Sequence, residues 1–188
     1  MRHTFQHAIR LTAGLVLVAA EVVPVNAVPP VAEEYALKAT YLFNFTRFIV
    51  WPADAFADAK EPFVIGVLGE DPFKKLLDEA VQGEKAAGRE IVVRRFKRLE
   101  DLQRCHLLFI AQSETARLAA ILDRVKGTGC LTVGDSHDTG HPGAVISFCV
   151  TNARKVRFEI NMAAAEGERL KPNAKLLQIA HCWTAQED

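Results

Sequence analysis

Short apolar runs alternate with amphipathic stretches through most of this chain, and that alternation limits the folds open to it. Phe63 to Leu68 (FVIGVL) reads as a buried-type strand, and REIVVRRF, HLLFIA and CLTVGD read as further strands. Between them lie an amphipathic segment opened by Asp71-Pro72 (PFKKLLDEAV), a helical turn at Leu99 to Gln103, and a helix over SETARLAAILDRVKG. Proline suits the first turn of the first helix. Ser113 and Glu114 can cap the start of the last one, and Gly127 can end it. Two further strands, GAVISFCV and KVRFEIN, flank the turn TNAR and read as an antiparallel hairpin. Two short helices, around Met162 to Arg169 and Asn173 to Cys182, complete the pattern. The fold expected is a single-domain α/β sandwich. It has a mostly parallel sheet of about six strands, helices on both faces, and a C-terminal antiparallel hairpin.

The segment ATYLFNFTRFIVWP crowds Tyr41, Phe43, Phe45, Phe48 and Trp51 into a chain only 8% aromatic. Glu33 to Val50 reads as one helix stopped by Pro52. It does not span a bilayer: Lys38 lies just upstream, and Asn44, Thr46 and Arg47 interrupt the run. Leu37, Tyr41, Phe45 and Phe48, with Leu42 and Ile49 beside them, make an expected core face. Thr40, Phe43, Arg47 and Trp51 make a second face. Aromatics and arginine are the residue types enriched at interface hot spots, so Phe43, Arg47 and Trp51 are candidate partner-binding residues.

At the N-terminus, Arg2, His3, His7 and Arg10 precede the apolar run LTAGLVLVAA, and Val25-Asn26-Ala27 offers a small-residue cleavage site. The pattern is that of a secretory signal over 1–27, leaving one domain over 28–188. No cysteine precedes Cys105, so no lipid-modified N-terminus is expected. The exported part is close to neutral, with no basic stripe to neutralise phosphates, so nucleic acid is not an expected partner.

Chemistry-bearing motifs are few. GVLGED is half of a phosphate loop, without G-x-G-x-x-G spacing or the Lys-Ser/Thr of a P-loop, and reads as a tight strand-to-helix turn. GDSHDTGHPG brings Asp135, His137, Asp138 and His141 to the carboxyl edge of the fourth strand, where open α/β sheets bind ligands. The four could offer metal ligands, but no helical H-x-x-x-H fixes two imidazoles on one face, so the run reads first as a solvated loop and second as a metal or small-ligand site. No G-x-S-x-G elbow appears, and adjacent strand residues such as Cys105 and His106 point to opposite faces. No catalysis, cofactor or metal is expected.

Cysteine usage is more informative. Cys105 precedes the third strand and Cys130 begins the fourth. If those strands are parallel neighbours, their starts lie about 4.8 Å apart, inside the Cα window for a disulfide. Cys105–Cys130 is the candidate bridge. Cys149 and Cys182 are left as a possible second pair or as buried thiols.

Taken in order, YALKATYLFNFTRFIVWP, PFVIGVLGEDPF, CHLLFIAQSE, LTVGDS, GAVISFCVTNARKVRFEIN and AKLLQIA closely resemble the YfiR family of exported bacterial regulators. The entry to the fifth strand departs from the family's Gly-Gly-Met-Ile, being His-Pro-Gly-Ala-Val-Ile, and no closely spaced cysteine pair sits in the closing hairpin. The resemblance implies a periplasmic, non-catalytic α/β protein. It would bind and inhibit the periplasmic domain of an inner-membrane signalling protein, typically a diguanylate cyclase or otherwise a sensor kinase, so lowering cyclic di-GMP. It also implies a homodimer. The alternative reading is a periplasmic small-ligand sensor using the 135–143 loop. N-terminal sequencing of the exported protein should begin near Val28; a membrane-bound product retaining Met1 would overturn the leader assignment.

Overall fold

The structure is a computed structural model and describes residues 31–58, 60–135, 143–150 and 155–183. The expected leader lies outside these residues. In chain order the elements are α1 (Val31–Phe48), β1 (Ile49–Val50), β2 (Phe63–Leu68), α2 (Leu76–Val81), β3 (Lys85–Ala86), β4 (Arg89–Phe96), β5 (Leu107–Ile110), α3 (Leu118–Val125), β6 (Leu131–Asp135), β7 (Ile146–Val150), β8 (Val156–Asn161), α4 (Met162–Gly167), β9 (Lys171–Pro172), α5 (Ala174–Ile179) and β10 (His181–Trp183). No helix among the described residues is long and apolar enough to cross a membrane.

The main sheet runs β3-β4-β2-β5-β6-β7-β8-β10. β4, β2, β5, β6 and β7 are mutually parallel, and β8 returns antiparallel to β7 as the closing hairpin. The six expected strands are all present. Two short edge strands were not foreseen: β3, which pairs with the start of β4, and β10, which pairs parallel to β8 where the sequence pattern reads as helix. β1 and β9 form a separate two-stranded ladder.

Helical bounds are tighter than the apolar pattern predicts. Residues 112–117 form a 3-10 turn before α3, and Ser113 does not cap it; its Oγ accepts the Glu70 N–H at 3.0 Å instead. Gly66, inside β2, has a packing reason. A Cβ there would meet Leu108 at 3.1 Å and both Cys105 Sγ and Phe96 at 3.2 Å.

Two apolar layers enclose the sheet. One joins α1 to Phe63, Phe109, Phe148 and Phe158; the other packs Leu118, Ile121 and Val125 of α3 over Val64, Leu108 and Ile110. In the first layer Phe45 is fully buried, 5.0 Å from the Phe158 ring centre and 5.9 Å from that of Phe148.

The inward face of α1 is Tyr35, Lys38, Ala39, Leu42, Phe45 and Thr46. Phe45, Leu42 and Ile49 are buried as the sequence predicts, whereas Tyr41 and Phe48 are half-buried and Leu37 is 43% exposed. The core stripe is therefore rotated from the expected one. The reason is Lys38, which is completely buried. Its ammonium donates to Asp135 Oδ1 at 2.7 Å and to the Glu34 carboxylate one turn back, and it lies 4.6 Å from the Tyr35 ring centre. The Tyr35 hydroxyl donates to Asp135 Oδ2 at 2.8 Å. Burial first, and then the Asp135 charge, push the Tyr35 hydroxyl well above its ordinary range, so it stays a donor.

Removing one partner of such a pair strands a buried charge and costs about 3–5 kcal/mol. Lys38→Met should therefore lower the thermal midpoint by on the order of 10 °C for a chain of this size. The double variant Lys38→Met/Asp135→Asn should recover part of that loss. An unchanged midpoint in the single variant would show that the ion pair does not hold α1 on the sheet.

Candidate functional site

Among the residues proposed for partner binding, the structure keeps two together and moves the third. Phe43 and Arg47 lie one turn apart on the outer side of α1, with the guanidinium 5.7 Å from the Phe43 ring centre. Arg47 and Thr40 are exposed, Phe43 is half-buried, and Val50, just past the helix end, is 61% exposed. Trp51 does not belong to that surface. It is only 8% exposed, stands edge-on to Phe63 at 4.9 Å, and donates its indole N–H to the His106 carbonyl at 3.1 Å. The chain leaves the helix at Phe48, so Trp51 no longer follows helical periodicity and turns inward. Val50 is an exposed apolar residue that sequence reasoning missed, because its exposure in a two-residue strand gave no periodic signal.

Trp51 is part of a locked corner. His106 Nδ1 accepts the Val64 N–H at 2.9 Å, and the imidazole stacks on Phe56 at 4.5 Å. Burial pushes the imidazolium below its ordinary range, and with Nδ1 taken by the Val64 amide the ring serves this corner by packing on Phe56 and Phe63.

At the carboxyl edge of the sheet, Asp135 is not a loop ligand. It is 1% exposed and committed to Lys38 and Tyr35. His137, Asp138 and His141 lie outside the described residues. The strand order reverses between β2 and β5, where doubly wound sheets open a ligand crevice. That crevice is filled. Gly69, at φ +96°, would place a Cβ 2.5 Å from Ser113 Oγ and 2.7 Å from Glu114, and the Ala111 N–H donates to the Leu68 carbonyl at 3.0 Å. GVLGED is thus the tight turn the sequence suggests, with side chains where a phosphate would have to sit.

At the opposite, amino edge, Cys105 and Cys130 meet. Register pairs Leu107 with Leu131, so Cys130 falls opposite His106 with Cys105 one residue before it, and the two sulfurs are 3.9 Å apart in buried surroundings. A hydrogen bond with Cys105, reinforced by burial, holds the Cys130 thiol well above its usual range. Cys149 lies on β7 and Cys182 on β10, with β8 between them. Two strand spacings are about 9.6 Å, beyond the reach of a disulfide, so the possible second pair is ruled out by topology.

The sequence matches the family model described as YfiR/HmsC-like over residues 35–181. The chain belongs to the YfiR/HmsC-like family. None of the curated proteins compared with it matches. Two solved structures align with the chain. One is a conserved domain protein from Vibrio cholerae O1 biovar El Tor, 13% identical at a TM-score of 0.51, with 81% of this chain aligned. The other is an ABC domain in complex with L-Trp from Streptococcus pneumoniae, 9% identical at a TM-score of 0.47, with 63% of this chain aligned. The alignments span 60% and 54% of those longer chains.

We propose that Cys105 and Cys130 close to a disulfide in an oxidising compartment. The sulfurs need to approach by about 1.9 Å to reach bonding distance. Non-reducing peptide mapping of oxidised native protein should return the linked pair, and finding both thiols free would refute it. Cys105→Ser should then cost on the order of 3 kcal/mol, because the denatured chain regains the entropy of an open loop.

Proposed function

We propose that this YfiR/HmsC-like protein is an exported, non-catalytic regulator. It binds the periplasmic domain of an inner-membrane diguanylate cyclase and holds it inactive, so lowering cyclic di-GMP. The observation that carries the reading is the outer surface of α1. Phe43 and Arg47 stand at the surface of a helix whose other side is anchored by a buried ion pair, and the exposed Val50 follows in the short strand β1. A rigid helix presenting an aromatic ring, a guanidinium and an apolar side chain is suited to docking, since little entropy is lost on contact. The leader pattern and the family membership support the compartment and the kind of partner. A homodimer belongs to the same reading. The small-ligand alternative at the 135–143 loop is weakened, because Asp135 is already committed to Lys38 and Tyr35.

Deletion of the protein should raise cellular cyclic di-GMP. Arg47→Glu should reproduce that rise while leaving the fold intact, and Phe43→Ala should reproduce it at a modest cost in stability, since the ring also packs against the core. A docking hot spot is worth about 2 kcal/mol or more, or roughly thirtyfold in affinity. Trp51→Ala should instead act through stability, since Trp51 packs on Phe63 and His106. A folded Phe43→Ala/Arg47→Glu protein that still represses at full strength would remove this surface from the reading. Unchanged cyclic di-GMP in the deletion strain would remove the cyclase.

A further inference from the structure

At the amino edge of the sheet an open cavity of about 430 Å³ reaches down to Cys105 and Cys130, and Arg104, Arg124, Arg169 and Asp54 stand in its wall. Both cysteines are buried, Cys105 at 5% exposure and Cys130 at 1%, so a reagent meeting the pair from this side comes through the cavity.

Its charges are unevenly matched. Arg169 is paired to Asp54 at 2.8 Å. Arg104 uses one terminal nitrogen to bind the carbonyls of Asp54 and Ala55, which fixes it at the wall with its other N–H groups unspent among the described residues. Arg124, exposed in the last turn of α3, makes no hydrogen bond or ion pair among the described residues. Glu168 is the other nearby carboxylate, and its two oxygens accept the Gly127 and Gly129 amides at 2.8 and 2.9 Å. Three guanidiniums therefore face two carboxylates, each of which already has a partner. A recess with excess positive charge concentrates anions at its floor.

We infer that this cavity is an entry port for small anionic disulfides, such as carboxylate-bearing peptide disulfides, which exchange with the Cys105/Cys130 pair. The chemistry balances without a further reactant. The Cys105 thiolate attacks one sulfur of the reagent, forms a mixed disulfide and expels one reagent thiolate. The Cys130 sulfur, 3.9 Å away, then attacks Cys105, closes the intramolecular bridge and expels the second thiolate. The pair loses two electrons and two protons, and the reagent disulfide leaves as two thiols. Cys105 is the entering nucleophile because it is the more exposed of the two and because the Cys130 thiol is held protonated. The inference rests on the pair being able to bridge and is independent of which protein the chain regulates.

The test uses the reduced mature chain with Cys149→Ser and Cys182→Ser, so that only the buried pair reacts. Rates of bridge formation are measured with glutathione disulfide (anionic), hydroxyethyl disulfide (neutral) and cystamine (cationic). Each is normalised to its rate with the same chain unfolded in urea. The anionic reagent should be favoured over the cationic one by about tenfold or more at low salt, and the preference should collapse near 1 M salt. Arg124→Glu should reduce it several-fold without changing the neutral rate. Equal normalised rates for the three reagents, or a preference untouched by salt and by Arg124→Glu, would overturn the port. Diamide separates the two layers of the argument: if even this small neutral oxidant leaves both thiols free, the bridge fails and the port fails with it.

Discussion

The ion pair between Lys38 and Asp135 is the contact on which the arrangement of the whole first layer depends. It joins the middle of α1 to the end of β6, two elements 97 residues apart, in a place where neither charge touches water. Apolar packing alone would let an amphipathic helix slide or rotate on a sheet, because burial is not directional. A buried ammonium with fixed acceptors is directional. With Glu34 behind it and the Tyr35 hydroxyl on the second carboxylate oxygen, it sets both the rotation of α1 and its register along the sheet. Phe45 then falls between Phe148 and Phe158, and Arg47 falls outside.

That same pair explains what was legible in the sequence and what was not. The five parallel strands and the closing hairpin announced themselves as apolar or alternating runs: β2, β5 and β6 are covered on both sides, whereas β4 and β8 alternate because one side is more exposed. Helix rotation is another matter. A periodicity argument scores Lys38 and Thr46 as outward, yet both are buried, one by its salt bridge and the other by donating to the Phe43 carbonyl at 2.7 Å. Scoring them outward turned the expected core stripe toward Leu37 and assigned Trp51 to the surface. The partner for Lys38 was present in the sequence as Asp135, but the two are linked only by the tertiary fold. β10 was illegible for a related reason: its pairing with β8 is decided by the free edge of the hairpin rather than by three residues of local pattern.

The two ends of the sheet have been treated differently by the sequence. At the carboxyl ends, where this topology usually opens, Ser113 and Glu114 fill the reversal point and Asp135 is neutralised by a lysine. At the amino ends the loops leave a recess with two thiols at its base and arginines in its wall. The cysteine argument succeeded in placing Cys105 beside Cys130 because it used only strand order and spacing. It failed for Cys149 and Cys182 because β8 and β10 were needed to see that a strand intervenes.

The aromatic residues that first marked the chain thus divide by depth into two roles. Phe45 and Trp51 are in contact with rings from three different strands, β2, β7 and β8, and their loss would be felt as unfolding. Phe43, half-buried at the margin of the same core with the Arg47 guanidinium beside its ring, keeps part of its surface available for contact with another molecule. The division follows from rotation alone: turning α1 by a single residue would bury Arg47 and expose Lys38. Because the Lys38–Asp135 pair forbids that turn, the outer surface of the helix is as fixed as its core, and a contact made there would be pre-organised before any partner arrives.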